Sequence, residues 1–155
     1  MDIEIPGRGT YKIEHAVFDY NGTIAVDGTL LPGVADAFRQ LAAQHLDIRV
    51  LTADTYGTVR QQCAGLPVRI ETFPNDAAGP HKQEVVDSIG GAIVCIGNGY
   101  NDIPMFDHAT LSIAVIEGEG TCASLLAHAD IVARSCMDAL HLLLNPQTIR
   151  ATLRH

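Results

Sequence analysis

Asp19 closes the apolar run Ala16-Val17-Phe18 and is followed at once by the polar turn Tyr20-Asn21-Gly22-Thr23. A strand fixes the backbone of such a carboxylate and a turn exposes it, which suits a nucleophile, a metal ligand or both. Later segments supply polar groups in comparable places. Thr52-Ala53-Asp54 follows the apolar run 48–51, and Gly97-Asn98-Gly99-Tyr100-Asn101-Asp102 follows the run 93–96. Lys82 lies near the start of the helical pattern that precedes the second of these runs. Ligands of open α/β sheets bind beyond the carboxyl ends of the strands, so these groups are expected to meet at one edge. Together they fit phosphoryl transfer, in which catalysis is mainly positioning and charge neutralisation. A hydroxyl (Thr52), an ammonium (Lys82), turn amides near Gly22 and a cation held by carboxylates would supply that. Asp19 could attack phosphorus and form an aspartyl-phosphate for water to hydrolyse.

The elements that must position these residues are legible as apolar runs. Strands are predicted over 16–18, 48–51, 68–70, 93–96, 111–116 and 131–133. Several are continuous rather than alternating, as in parallel strands covered on both faces. Helical faces fall between them: Val34, Phe38, Leu41 and His45; Val59, Cys63 and Leu66; Val85, Val86 and Ile89; Cys122, Leu125 and Leu126; Met137, Leu140 and Leu144. Residues 3–5 and 11–14 form a predicted hairpin around Pro6-Gly7-Arg8-Gly9, and 23–26 with 29–31 a second around Asp27-Gly28. A terminal helix over 147–155 would bury Ile149 and Leu153. The fold class expected is α/β, a three-layer Rossmann-like domain with a mainly parallel central sheet and small β-hairpins at the N-terminus and after the first catalytic strand.

Composition narrows the function. The chain has 155 residues, 47% of them hydrophobic, and fits a single domain over 1–155. A net charge of −8 without basic runs argues against a nucleic-acid partner. No signal-peptide pattern or membrane-spanning run is present, and Cys63, Cys95, Cys122 and Cys136 form no CxxC pair. Reduced thiols and a cytoplasmic location are expected.

The segments DYNGT, LTAD, HK and GNGYND, in that order, resemble the four-motif signature of the haloacid dehalogenase-like superfamily. The branch they resemble is that of soluble proteins similar to the phosphorylation domain of P-type ATPases, over roughly residues 14–145. The resemblance implies that Asp19 is the nucleophile, that Thr52 binds the phosphoryl group and that Lys82 neutralises charge. It implies Mg²⁺ held by Asp19, the main-chain carbonyl of Asn21, Asn98 and Asp102. Asn21, Gly22, Ala53 and Asn101 are expected beside the substrate, a phosphorylated small molecule or phosphoprotein. Two positions depart from the pattern. Asn21 stands where phosphatases of the superfamily carry an aspartate serving as general acid/base, and Asn98 where an aspartate binds the metal. Loss of general acid/base catalysis lowers rates by about 10²–10⁴, so a slow phosphatase is implied, least impaired on acyl or activated aryl phosphates.

Substrate choice in the superfamily comes from a cap inserted after the turn hairpin or after the third strand. The intervals 23–52 and 52–82 have no room for one, so an open site is expected, covered by a homo-oligomeric neighbour or a macromolecular substrate. Taken singly, each residue has a plainer reading: Thr52 as a helix cap, Lys82 as a surface charge, Asn101-Asp102 as a cap of the next helix. Asp54 is read as a cap and Cys95 as core. A second function remains open, a catalytically weak regulatory or phosphate- and metal-binding module. A receiver-like phosphoacceptor fits poorly, because that fold needs an acidic pair close to the first strand and its phosphorylated aspartate after the third, where only Glu71 lies nearby. An intact pump would need membrane spans and a nucleotide-binding insert.

Overall fold

The computed structural model describes residues 1–155, the side chain of Asn75 excepted. Its central sheet is built from β1 (Asp2–Ile5), β2 (Gly9–Asp19), β5 (Asp47–Thr52), β6 (Arg69–Thr72), β7 (Ala92–Gly97), β8 (Leu111–Val115) and β9 (Ile131–Ala133). The order is β6-β5-β2-β7-β8-β9, with every pair along it parallel, while β1 runs antiparallel to the first part of β2. A second, two-stranded sheet joins β3 (Ala25–Val26) to β4 (Thr29–Leu30). Both predicted hairpins are therefore present. The chain leaves β2 toward β5 and β6, then returns to its other side as β7, which makes the carboxyl end of β2 the point where the winding reverses.

The continuous apolar runs divide by the two-residue period of the pleat. Phe18, Ile48, Val50, Val94, Ile96 and Ile113 face the larger core, shared with α1 (Val34–Ala43), α2 (Val59–Gln62), α5 (Cys136–Leu144) and α6 (Pro146–Leu153). Val17, Leu51, Ile93, Cys95 and Ala114 face a second core with α3 (Ala78–Ile89) and α4 (Ile103–Asp107). Helices on both faces of a parallel sheet complete the three layers.

Several helical expectations shift. His45 lies beyond the end of α1 at φ 64, because α1 closes at Ala43. Leu66 lies past the end of the short α2. The segment 123–128 is a 3-10 helix, which aligns residues every third position; Leu125 is buried while Leu126 is 39% exposed. In α5 the buried residues are Cys136, Ala139, Leu140 and Leu143, and Met137 is exposed, its thioether lying over Gly33. In α3 the buried side chains are Ala78, Lys82 and Val86, with Val85 and Ile89 only partly covered. Among the described residues no helix is long and apolar enough to cross a membrane.

Candidate active site

Asp19 ends β2 with one side chain bonded on both oxygens. Its Oδ1 accepts from Lys82 Nζ at 2.6 Å and its Oδ2 from Thr23 Oγ1 at 3.0 Å. The turn that exposes it is wound tightly around Tyr20, whose carbonyl accepts from the amides of Thr23, Ile24 and Ala25 at 3.2, 3.0 and 3.0 Å. Gly22 sits in this turn at φ 78, and a Cβ there would collide with Asn98 Nδ2. Glycine is required on both counts. Its amide donates to the Ala25 carbonyl at 2.7 Å. The role expected of Gly22 as a phosphoryl donor is thus corrected: the turn itself consumes that N–H, and the residue serves close approach instead.

The hairpin after the turn is fastened to the scaffold. Tyr20 Oη and Thr58 Oγ1 both donate to the Gly28 carbonyl, at 3.0 and 2.6 Å. Asp54 Oδ1 accepts from the amides of Thr58 and Val59 at 3.0 and 3.1 Å, capping α2 as its sequence position implied.

Lys82, 1% exposed, projects from α3 into the site. It donates to Asp19 at 2.6 Å, to Asp102 Oδ1 at 2.5 Å and to Asn101 Oδ1 at 3.2 Å. An unpaired ammonium this deep would lose its charge. Burial does oppose it, but Asp102 and then Asp19 outweigh that and hold the ammonium above its ordinary range. Asp19 responds differently. Burial, reinforced by the charge of Asp102, pushes its carboxyl up to about 6 against the pull of Lys82.

Asp102 is wholly buried, and both of its oxygens are engaged. Oδ1 holds Lys82, while Oδ2 accepts from the amides of Asn98 and Gly99 at 2.9 and 2.8 Å. The carboxylate lies over Gly97, where a Cβ would collide with Oδ2. This differs from the expected metal ligand: Asp102 anchors the lysine and closes the loop after β7. The oxygens that do converge are Asp19 Oδ2 and Asn98 Oδ1, which lie 3.0 and 3.1 Å from the same Thr23 hydroxyl. Asn98 is held in that orientation because its Nδ2 donates to the Gly120 carbonyl at 2.8 Å. A hydroxyl has one proton to give, so one of these two acceptors is always left free.

Thr52, 2% exposed, ends β5 beside β2, where Leu51 pairs with Asp19. Its Oγ1 accepts from the Asp54 amide at 2.8 Å, leaving the hydroxyl proton for another acceptor. Ala53 follows in the turn beyond β5, half-buried. Asn21 forms a bridge with Ala25, and its Oδ1 is buried without a partner. Thr23 was not singled out as a site residue. The signal for it was its place in the Asn21-Gly22-Thr23 turn, which buries the hydroxyl within reach of Asp19.

Among the described residues no three His, Cys, Asp or Glu side chains are grouped to hold a metal. The donors placed together are one carboxylate oxygen of Asp19 and one amide oxygen of Asn98. These are hard oxygen donors, which suit a hard divalent cation, with less negative charge than three carboxylates would give.

A family model for haloacid dehalogenase-like hydrolases matches residues 90–138, the segment carrying β7, the Asn98–Asp102 loop and β8. An uncharacterized protein of Methanocaldococcus jannaschii is 44% identical over 62 residues, covering 40% of this chain and 67% of that protein. A copper-exporting P-type ATPase of Staphylococcus epidermidis is 29% identical over 135 residues, which are 85% of this chain but 16% of the pump. In fold, the chain is similar to the 3-deoxy-D-manno-octulosonate 8-phosphate phosphatase of Moraxella catarrhalis, solved with magnesium ion, phosphate ion and its sugar. That match has a TM-score of 0.70 at 14% identity and covers 92% of this chain and 94% of the phosphatase. With the ordered motifs placed at one sheet edge, the chain belongs to the haloacid dehalogenase-like hydrolases.

Proposed function

We propose that the protein is a Mg²⁺-dependent phosphohydrolase that works through an aspartyl-phosphate on Asp19, with a rate limited by Asn21. The observation that carries this reading is the buried contact of Lys82 with both Asp19 and Asp102, at 2.6 and 2.5 Å. An ammonium so placed orients the attacking carboxylate and neutralises charge on the incoming phosphoryl group.

Asp19 attacks phosphorus, the bond to the leaving oxygen breaks, and that oxygen departs with the electron pair. Water then attacks phosphorus, the bond to the Asp19 oxygen breaks, and phosphate leaves with the carboxylate restored. Asn21 Oδ1, buried and unpartnered, can accept a hydrogen bond from water but cannot remove its proton. Thr52 presents its free hydroxyl proton to a phosphoryl oxygen.

Two carboxylates and one ammonium leave the cluster of Asp19, Asp102 and Lys82 at a formal −1, within a chain of net charge −8. A phosphate dianion would be repelled by it, so the site calls for a cation. Asp19, Asn98 and the Asn21 carbonyl are the residues that would hold Mg²⁺, which supplies charge for the phosphoryl oxygens. The Moraxella phosphatase, solved with magnesium and phosphate, supports that choice of ion.

The same Asn21 favours a second reading, a module that binds phosphate and metal with little turnover. Acetyl phosphate separates the two, because its leaving group needs no proton. The expected result is Mg²⁺-dependent phosphate release, with an acid-stable, hydroxylamine-labile phosphoprotein trapped on quenching, both lost in Asp19→Asn. A labelled Asp19→Asn chain would remove the nucleophile assignment. Binding of Mg²⁺ and beryllofluoride without hydrolysis would favour the module.

A further inference from the structure

The first turns of α3 and α4 face each other across a cavity of about 250 Å³ lined by Gly79, Pro80, Tyr100, Asn101, Ile103 and Pro104. Its walls are stiff and mostly apolar. Pro80 and Pro104 sit in first helical turns, where the fixed φ of proline is already that of the helix. Tyr100 stands beside them, 73% exposed. Asn101 joins this cavity to the reaction centre: it lines the cavity, and its Oδ1 accepts from the Lys82 ammonium that holds Asp19.

Gly79 is the telling residue. It is the second residue of α3, with a φ outside the left-handed region, so nothing in the backbone asks for glycine. A Cβ would stand 3.5 Å from both the Asn101 carbonyl and Pro104 Cγ. Such contacts are ordinary, so a single methyl would fit; a longer side chain would fill the cavity. A small residue at position 79 therefore keeps the cavity open.

We propose that this cavity is the leaving-group subsite and that it receives a flat aromatic ring, which makes the substrate class an aryl phosphate monoester. The inference rests on the phosphohydrolase reading and extends it. Proline and tyrosine surfaces suit a ring. Polar side-chain groups in the lining are confined to Asn101 and the Tyr100 hydroxyl, so a sugar would enter with most of its hydroxyls unpaired. Asn21 points the same way from independent chemistry. When Asp19 bonds to phosphorus and the bond to the ester oxygen breaks, the electron pair leaves on that oxygen. A phenolate carries it without a proton donor and is protonated later by solvent, whereas an alkoxide needs the acid that Asn21 cannot be.

The test compares phenyl phosphate with acetyl phosphate, which has no ring, in wild type, Gly79→Leu and Tyr100→Ala, each with Mg²⁺. Gly79→Leu is expected to lower kcat/KM for phenyl phosphate by about tenfold or more while acetyl phosphate changes by less than about twofold. Tyr100→Ala, at an exposed position, is expected to raise KM for phenyl phosphate alone, and it carries the test if Gly79→Leu does not fold. Parallel losses on both substrates, or unchanged phenyl phosphate turnover, would overturn the subsite. A change in oligomeric mass without a change in selectivity would assign the cavity to self-association and overturn it equally. Wild type that hydrolyses acetyl but not phenyl phosphate removes the subsite alone; failure on both removes the phosphohydrolase reading and the subsite with it.

Discussion

Burial and the charge of Asp102 push the Asp19 carboxyl up to about 6, while Lys82 and Thr23 draw it down. The nucleophile is the ionised form, so kcat/KM is expected to fall about tenfold per pH unit below roughly pH 6 at low Mg²⁺. Raising Mg²⁺ should move this acid limb downward, because the cation favours the carboxylate; a limb insensitive to Mg²⁺ would separate Asp19 from the cation. Stability carries the opposite sign. A carboxyl raised above its unfolded value favours the folded state below that value, near 3.8, and this contribution is lost as pH rises through about 6. At neutral pH the ionised Asp19 is therefore a source of instability, and a shift of this size corresponds to roughly 1–3 kcal/mol. Asp19→Asn keeps an oxygen for Lys82 and removes the repulsion with Asp102. Its Tm at pH 7 is expected to exceed that of wild type, with the gap closing toward pH 4; a lower Tm at pH 7 would contradict the charge balance drawn for the site. Asn21 governs rate instead. Its Oδ1 is buried and unpartnered in the turn after Asp19, and Asn21→Asp changes that acceptor into a group that can carry a proton. Turnover of an alkyl phosphate such as glycerol phosphate is expected to rise about 100-fold or more, within the 10²–10⁴ typical of general acid/base catalysis. Acetyl phosphate should change little. Equal or lower alkyl turnover in a folded variant would count against the assignment.

The elements show why some of this was legible in the sequence and some was not. A parallel strand buried on both faces needs only a run of apolar residues, so β2, β5, β7, β8 and β9 could be read directly, and with them the places where polar residues emerge. Turn chemistry was equally direct at Asp27-Gly28. Phase within an apolar helix was harder. The sequence of α5, Cys-Met-Asp-Ala-Leu-His-Leu-Leu-Leu, is hydrophobic on more than one side, and the small Cys136 and Ala139 decide which side meets the sheet and α1. The segment 123–128 departs from the α-helical pattern because two long-range bonds fix its ends, Cys122 N to the Asn98 carbonyl at 2.8 Å and Ser112 Oγ to the His128 carbonyl at 3.0 Å. A tighter, more extended 3-10 helix spans that interval with Leu125 inward. Asp102 raises the same difficulty at the site. A loop carboxylate that binds a cation and one that anchors a lysine look identical in sequence. Only the approach of Lys82 from α3 and of the Asn98 and Gly99 amides from its own loop tells them apart.

At the scale of the whole molecule, the site lies on an open rim. The turns that leave the carboxyl ends of β5, β7 and β8 carry Tyr56, Tyr100 and Ile116, which are 49%, 73% and 49% exposed. Between Thr23 and Lys82 the described residues form the hairpin, α1, β5, α2, β6 and a 3-10 turn. Phosphoryl transfer gains from the exclusion of water, since charge interactions strengthen as the local dielectric falls. Apolar side chains around an open polar centre are suited to being covered, whether by a second copy of the chain or by a macromolecular substrate. A second copy makes a definite prediction. Acetyl phosphate turnover per chain should rise with protein concentration in step with the mass seen by light scattering. Ile116→Asp, which adds charge to the rim without touching Asp19 or Lys82, should lower both together. Turnover that rises only with a phosphoprotein supplied would place the cover on the substrate side. A chain that scatters as a monomer while hydrolysing acetyl phosphate at its full rate would show that the site needs no cover, and that Lys82 and the cation alone offset the charge of the phosphoryl group in open solvent.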